Sequence, residues 1–324
     1  LLVLWLLGYA LSRFRITSII APMNSTNPID SEGDPYFLNL YMATDTDNSN
    51  NYLIRYNDQP LGYFLQNPEV AFKETENTLT QTSTLLAEPK IIYLDGIEGR
   101  EYEINIKDKY HSIVRVYFRG NRTYLLLKQK LNETEKVNVN DEFFNSFTLL
   151  PYEDIDLTEY ESPNKDFKIK LFENVKEVID TLDYTDSNVL DSYDYTSLNP
   201  NSGGIYQYGY NNIGKYFRIS SYKKLLEDYK NALTEYNDSI ISEKIIVRNG
   251  DSLIQFSVRN KLFKNANRQV VNQFWYDNYR LHISKAIVTD EELDNGIVDK
   301  VFTSISVQPV TSDIDIYESK AKYI

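Results

Sequence analysis

The sequence predicts an α+β fold: two tandem modules of mainly antiparallel sheet with packed helices, preceded by part of a transmembrane helix. Three observations predict it. Short runs alternate between apolar and polar residues, as half-buried strands do. Gly-Asn and Asp-Asn pairs stand between such runs, where tight turns need residues that tolerate positive φ. The order of elements in the first half also returns in the second, each series closing on a similar stretch. These stretches are "DEFFNSFTLLP" at Asp141–Pro151 and "DKVFTSISVQP" at Asp299–Pro309.

In the first half, "EYEINIK" places Tyr102, Ile104 and Ile106 on one side of a strand. "SIVRVYF" is β-branched and aromatic, "RGNR" supplies a turn, and "TYLLLKQK" is the return strand. "VNVNDEFFNSFTLL" reads as a short helical turn running into a final strand. In the second half, "DSLIQFSVRN" and "RQVVNQFWY" are strands, and Asp277-Asn278 makes the turn. "YRLHISKA" follows with Tyr279, Leu281 and Ile283 inward, and "EELDNGIVDKVFTSISV" gives a short helix and a closing strand.

The correspondence reaches upstream. Residues 221–236 place Tyr222, Leu225, Leu226, Tyr229, Leu233 and Tyr236 on one helical face. Residues 67–86 take the equivalent place, with Pro68 near the helix start, where proline is tolerated. A short strand precedes each helix ("NYLIRY", "KYFRIS"), and an apolar pair follows each (Ile91-Ile92, Ile245-Ile246). The expected organisation is a C-terminal part of a transmembrane helix (1–13), a first module (14–151), an acidic linker (152–165), a second module (166–310) and a tail (311–324). The second module opens on a strand and a short helix in 166–182, whose apolar face is Phe172, Val175, Val178, Ile179 and Leu182. It then carries a long loop, 183–212, rich in Gly, Asn, Asp and Ser.

Composition excludes several functions. There is no Cys, so no disulfide framework and no thiolate site or nucleophile. The net charge is −13, concentrated in residues 152–196 with thirteen Asp/Glu against four Lys. A chain this acidic repels phosphate backbones, so no nucleic-acid partner is expected. The apolar run Leu1–Leu11, closed by Arg13 and Arg15, is short of the roughly 20 residues a bilayer needs. It reads as the second half of a membrane helix that begins before Leu1. One visible basic flank leaves the orientation open.

No catalytic, cofactor or metal residues emerge. The only two histidines, His111 in "KDKYHS" and His282 on the polar side of its strand, read as turn and surface residues. Asp45, Asp47, Ser49 and Asn51 have the alternate spacing of a calcium loop, but Tyr56 stands where the closing acid would be, so the stretch reads as a polar hairpin loop. Four Asn-x-Ser/Thr triplets, at Asn24, Asn121, Asn132 and Asn237, are expected by chance in an Asn-rich chain. The feature that invites a binding role is aromatic. Tyr206, Tyr208 and Tyr210 alternate on one side of a strand, and with Tyr193 and Tyr195 they form a candidate partner interface.

The closing segments, with Phe144, Ser146 and Phe147 in the first half and Phe302, Ser304 and Ile305 in the second, follow strands bearing Tyr124 and Tyr279. In that order of elements, most of 14–151 and 166–310 resembles the PsbP-like α/β sandwich; Ile305 departs from the Phe of the first copy. The resemblance implies accessory or assembly proteins of larger complexes, without catalytic residues. The Cys-free, Tyr- and Asn-rich composition is similar to envelope proteins of the Bacteroidota. The expected function is a non-catalytic, membrane-anchored accessory subunit of an envelope complex, its soluble part periplasmic. The alternative is an extracytoplasmic glycan- or peptide-binding module.

Overall fold

The computed structural model describes residues 19–20, 25–29, 35–62, 65, 67–180, 189–213, 240–248, 253–260, 268–276 and 280–308, with the isolated positions 224, 227, 228 and 231. The chain divides into two compact units, one of residues 1–63 and 68–151, the other of 64–67 and 152–324. Among the described residues no helix is long and apolar enough to cross a membrane; the expected membrane segment 1–13 lies outside them.

Unit 1 runs β1 (Ile19–Ile20), β2 (Ser25–Ile29), β3 (Pro35–Asp45), β4 (Asn50–Asp58), α1 (Pro68–Thr80), β5 (Ser83–Leu85), β6 (Lys90–Leu94), β7 (Ile97–Ile106), β8 (Tyr110–Arg119), β9 (Arg122–Lys130) and α2 (Glu142–Asn145). Its strands form one antiparallel sheet in the order β1-β3-β4-β9-β8-β7-β5, with β2 on β3 and β6 on β7. The β8–β9 turn is the predicted Gly-Asn pair: Gly120 takes a φ of 59°, which only glycine adopts without penalty.

Alternation gives this sheet two covered faces. Tyr102, Ile104, Val114 and Val116 pack with Phe72 of α1. On the other face, Ile113, Tyr117 and Leu126 pack with Val137 and Phe144 from the segment after β9. The expected closing strand does not form here. After α2, the chain is held by Leu149 N–H donating to Asp95 (3.0 Å) and Arg119 donating to the Leu150 carbonyl (2.7 Å). Side chains, rather than a strand ladder, secure that end.

Unit 2 runs β10 (Thr158–Glu161), β11 (Phe167–Leu171), β12 (Lys176–Asp180), β13 (Val189–Leu198), β14 (Ile205–Ile213), β15 (Ile240–Arg248), β16 (Leu253–Asn260), β17 (Gln269–Tyr276), β18 (Arg280–Val288), α3 (Asp290–Asp294), α4 (Ile297–Thr303) and β19 (Ser306–Val307). Seven strands form a sheet in the order β12-β13-β14-β18-β17-β16-β15, and β10-β11-β19 form a second, smaller one. The run β13-β14-β18-β17-β16-β15 repeats the connectivity of β3-β4-β9-β8-β7-β6 in unit 1. The smaller sheet and α4 supply Phe167, Ile169, Leu171, Val298, Val301 and Phe302, which cover the face carrying Tyr195, Tyr206, Tyr208, Tyr210, Val271 and Trp275.

Three expectations for this half are corrected. Residues 152–165 are not a linker: Thr158–Glu161 pair with β11, and Ile155, Leu157 and Tyr160 pack on the core, while Glu159 bonds Lys168 at the surface (2.9 Å). The helix expected within 172–182 is strand β12. Its β-branched Val178 and Ile179 favour extended chain, and the Asn174 side chain brackets both backbone groups of Leu198 at 2.8 Å, which lays the segment alongside β13. The long loop 183–212 is mostly the β13–β14 hairpin, whose loop is Asn199–Gly204; residues 181–188 lie outside the described ones. Most of the expected helix 221–236 also lies outside, although Lys224, Glu227, Asp228 and Asn231 are helical and Lys224 pairs with Asp228. Strand "KYFRIS" and turn 277–278 are outside too.

Phe144 and Phe302 point inward from their short helices, at 4 % and 1 % exposure. Replacing Phe302 with Ala should cost about 3–5 kcal/mol in urea-unfolding free energy through the cavity left behind. Val70→Ala on the exposed side of α1 should change stability by less than about 0.5 kcal/mol.

Candidate functional site

The chemistry-bearing side chains gather on one face of each central sheet, beneath the segment that covers it. In unit 1 that segment is 131–150. His111 is neither exposed nor in a turn: the turn is Lys107–Lys109, and His111 is the second residue of β8, 4 % exposed. Its Nδ1 accepts from the Val137 N–H at 3.0 Å, so the ring proton sits on Nε2, which donates to Glu103 at 2.9 Å. That bond holds the Glu103 carboxyl below its ordinary range, against a smaller upward push from burial. Four residues along the same face of β8, Arg115 donates to Glu101 (2.9 Å) and to the Val139 carbonyl (2.9 Å), with its guanidinium 4.5 Å above the Phe144 ring. Lys128 then reaches Asp141 at 2.5 Å, the residue whose carboxylate caps α2 by accepting from Phe143 N–H. Three cationic or imidazole groups thus tie one covering segment to the sheet.

The Asp45–Asn51 stretch is the β3–β4 turn. One Asp45 oxygen accepts the backbone N–H groups of Asp47 and Asn48, both at 3.1 Å, and the other accepts the Asn48 side chain at 2.7 Å. The aspartate is consumed in shaping its own hairpin.

In unit 2 the corresponding face is aromatic. The five tyrosines expected to form a partner interface lie in or against the core. Tyr195, Tyr206, Tyr208 and Tyr210 are at most 2 % exposed, and the partly buried Tyr193 stacks on Tyr210 at 4.7 Å. The face they line is the one covered by β11 and α4, which alternation alone could not identify.

Burial obliges each hydroxyl to find an acceptor. Tyr195 donates to Glu177 of β12 (3.0 Å), Tyr206 to Glu292 of α3 (3.1 Å) and Tyr210 to Asp166 before β11 (2.8 Å). Burial first, and the neighbouring carboxylates second, push all three phenols well above their ordinary value, so they remain protonated donors at any physiological pH.

Tyr208 pairs with Nδ1 of His282 at 2.9 Å. His282 is therefore not a surface residue: it is fully buried and stacks on Trp275 at 4.8 Å, only 8° from parallel. The inward residues of β18 are Arg280, His282, Ser284 and Ala286, while Leu281 and Ile283 lie on the opposite face, half-buried. Arg280 closes this end of the cluster, 4.4 Å above the Tyr210 ring and 3.3 Å from Asp166.

Glu292, missed in the sequence, is the hub at the other end. It accepts from Tyr206 and from Asn199 (3.0 Å), and completes a capping box with Thr289 at the start of α3. Thr289-x-x-Glu292 is the readable signal, a capping-box spacing. A Cβ at Gly204 would collide with its carboxylate, so glycine is required there. Arg268, 1 % exposed, completes the arrangement by donating to the carbonyls of Gly203 (2.8 Å) and Ser202 (2.6 Å). Burial pushes its guanidinium down from the ordinary value, opposed by Glu292, and arginine's high starting point keeps it charged.

No protein-family model matches this chain, and no curated protein does. Among solved structures, similarity is found to cyanobacterial PsbP from Synechocystis sp. PCC 6803, with TM-score 0.35, 9% identity, and coverage of 50% of this chain and 98% of that one. It is also found to the immunity protein TplEi of Pseudomonas aeruginosa complexed with a peptide, with TM-score 0.25, 10% identity, and coverage of 84% and 96%. A third similarity is to MucB in complex with MucA, with TM-score 0.20, 7% identity, and coverage of 86% and 90%.

The Glu103 carboxylate contributes stability that is present above its unfolded-state pKa and lost as pH falls through its depressed folded value. Glu103→Gln should therefore be less stable than the parent by about 1 kcal/mol at pH 7, with the gap narrowing below pH ~4, as read from urea midpoints across pH. Glu292→Ala strands the Tyr206 hydroxyl and the Asn199 amide and removes the carboxylate that stabilises the buried Arg268 charge, and should cost about 3–5 kcal/mol at neutral pH, measured the same way.

Proposed function

We propose that this protein is a non-catalytic, membrane-anchored accessory subunit of a cell-envelope assembly, built from two copies of a PsbP-like module, and that unit 1 docks a protein partner along its β5–β6 edge. The observation that carries the reading is the character of that edge. β5 and β6 both pair with β7 and end the described sheet on that side. Ile91 and Tyr93 stand on the same side of β6 at 57 % and 67 % exposure, and Leu86 just beyond β5 is 42 % exposed. Sheet edges are usually blunted with charge, proline or a covering element. An edge carrying large apolar groups suits the addition of a partner strand, which supplies backbone hydrogen bonds and pockets for alternate side chains.

Other features support the reading. The repeated strand order of the two units supports duplication of one module. The ionisable groups of the two covered faces are bonded into packing, holding the covering segments in place. The apolar Leu1–Leu11 run supports the membrane anchor. The tyrosines that suggested the glycan-binding alternative face the core.

Affinity purification of the full chain from detergent-solubilised membranes should retain a stoichiometric protein partner. Ile91→Lys with Tyr93→Lys should release it while leaving the thermal midpoint within about 2 °C, because both side chains are exposed. A chain that purifies without a partner, or a partner indifferent to these substitutions, defeats the proposal.

A further inference from the structure

The geometry points to β12 as a self-complementary edge, through which two copies of this chain pair antiparallel about a two-fold axis at Val178. β12 ends the described seven-stranded sheet, with β13 on its inner side, in register from Lys176 opposite Thr196 to Asp180 opposite Ser192. Its sequence is Lys-Glu-Val-Ile-Asp, and its apolar centre is turned to solvent, with Val178 60 % and Ile179 49 % exposed.

The occupant follows from the charge order. Pairing an edge strand with its own copy about an axis normal to the sheet sets residue i opposite residue j with i + j constant, and both on one face. That leaves a few possible centres. A centre at Glu177 puts that carboxylate against its own copy, a destabilising like-charge pair. A centre at Ile179 sets Val178 against Asp180 and carries Lys176 past the strand. A centre at Val178 registers all five residues: Val178 meets Val178, Lys176 meets Asp180 twice, and Glu177 meets Ile179.

In that register no like charges oppose one another, and Glu177 keeps its bond from Tyr195 at 3.0 Å. β6 of unit 1 has no such symmetry, since centring Lys-Ile-Ile-Tyr-Leu on Ile92 leaves Lys90 facing Leu94. The two edges therefore suit different occupants, and pairing at β12 stands apart from any partner held at β6. The result is one sheet continuous across the two-fold axis, with both β12 edges satisfied.

The test is sedimentation velocity on the full chain in detergent across a concentration series. A concentration-dependent dimer is expected. Lys176→Asp and Asp180→Lys should each weaken it about tenfold, because each sets two like-charge pairs across the axis. Combining the two substitutions reverses the order of charges and should return the dissociation constant to within about threefold of the parent. A monomer at all concentrations overturns the inference. So does a dimer that ignores the single substitutions, or one that the double substitution fails to restore, since damage to β12 itself would not be rescued.

Discussion

The constraint on which unit 2 depends is that a buried tyrosine hydroxyl must keep a hydrogen bond. Tyrosine supplies ring area for a core and then demands an acceptor at a fixed distance from its backbone. Four such rings stand side by side on β13 and β14, packed edge-on against Phe167 at 4.5–6.3 Å for three of them. Three of the hydroxyls end on carboxylates from three separate elements: β12, α3 and the approach to β11. Each latch specifies where its element sits as well as holding it there. An apolar core of equal area would lack that directional information, because burial alone is non-directional.

Unit 1 meets the same architectural need with different chemistry. Its covering segment is bound by His111, Arg115 and Lys128, which reach from the sheet to Val137 N–H, the Val139 carbonyl and Asp141. These groups sit among aromatic rings, with Arg115 over Phe144 and Lys128 5.1 Å from the Tyr52 ring. A charged network of this kind is weaker per unit area than apolar packing but stringent in geometry, since a displaced partner strands a buried charge. The tyrosine latches of unit 2 carry their protons far from any physiological titration. In unit 1 the shifted group is the Glu103 carboxyl, held below its ordinary range by the bond from His111.

Much of the strand inventory was legible, because alternation and Gly-Asn turns are local signals. Tyr102 and Ile104 lie inward together as their spacing predicted, and Gly120 turns the chain where expected. What alternation cannot reveal is which of a strand's two sides meets the thicker cover. With both sheet faces covered in unit 1, and His282 opposite Leu281 and Ile283 in unit 2, polar residues moved to the inside and the tyrosine stripe was read as a surface. The error at 172–182 has another origin. Val175, Val178, Ile179 and Leu182 fit a helical spacing, yet Asn174 is bonded to Leu198 at the end of β13, and tertiary pairing overrides the period. Thr289-x-x-Glu292 marks a helix start in the sequence, but nothing in that spacing signals the burial of its glutamate.

The same latches give a role to part of the acidic excess of residues 152–196. Asp166 and Glu177 are acceptors for core tyrosines, and neither could be a lysine without leaving a phenol proton without an acceptor. Glu159 and Glu161 pair instead with Lys168 on the small sheet, where exposure leaves them worth little. The acidity of the stretch is therefore of two kinds, one specified by the core and one free to vary. β12 lies where they meet. Glu177, though exposed, accepts from the core Tyr195 and belongs to the first kind, while Lys176 and Val178 lie on the opposite side of the strand, with no core tyrosine to satisfy. A strand whose inner alternation is dictated by packing can change its outer alternation freely, and that freedom is what allows an edge to acquire a charge order of its own.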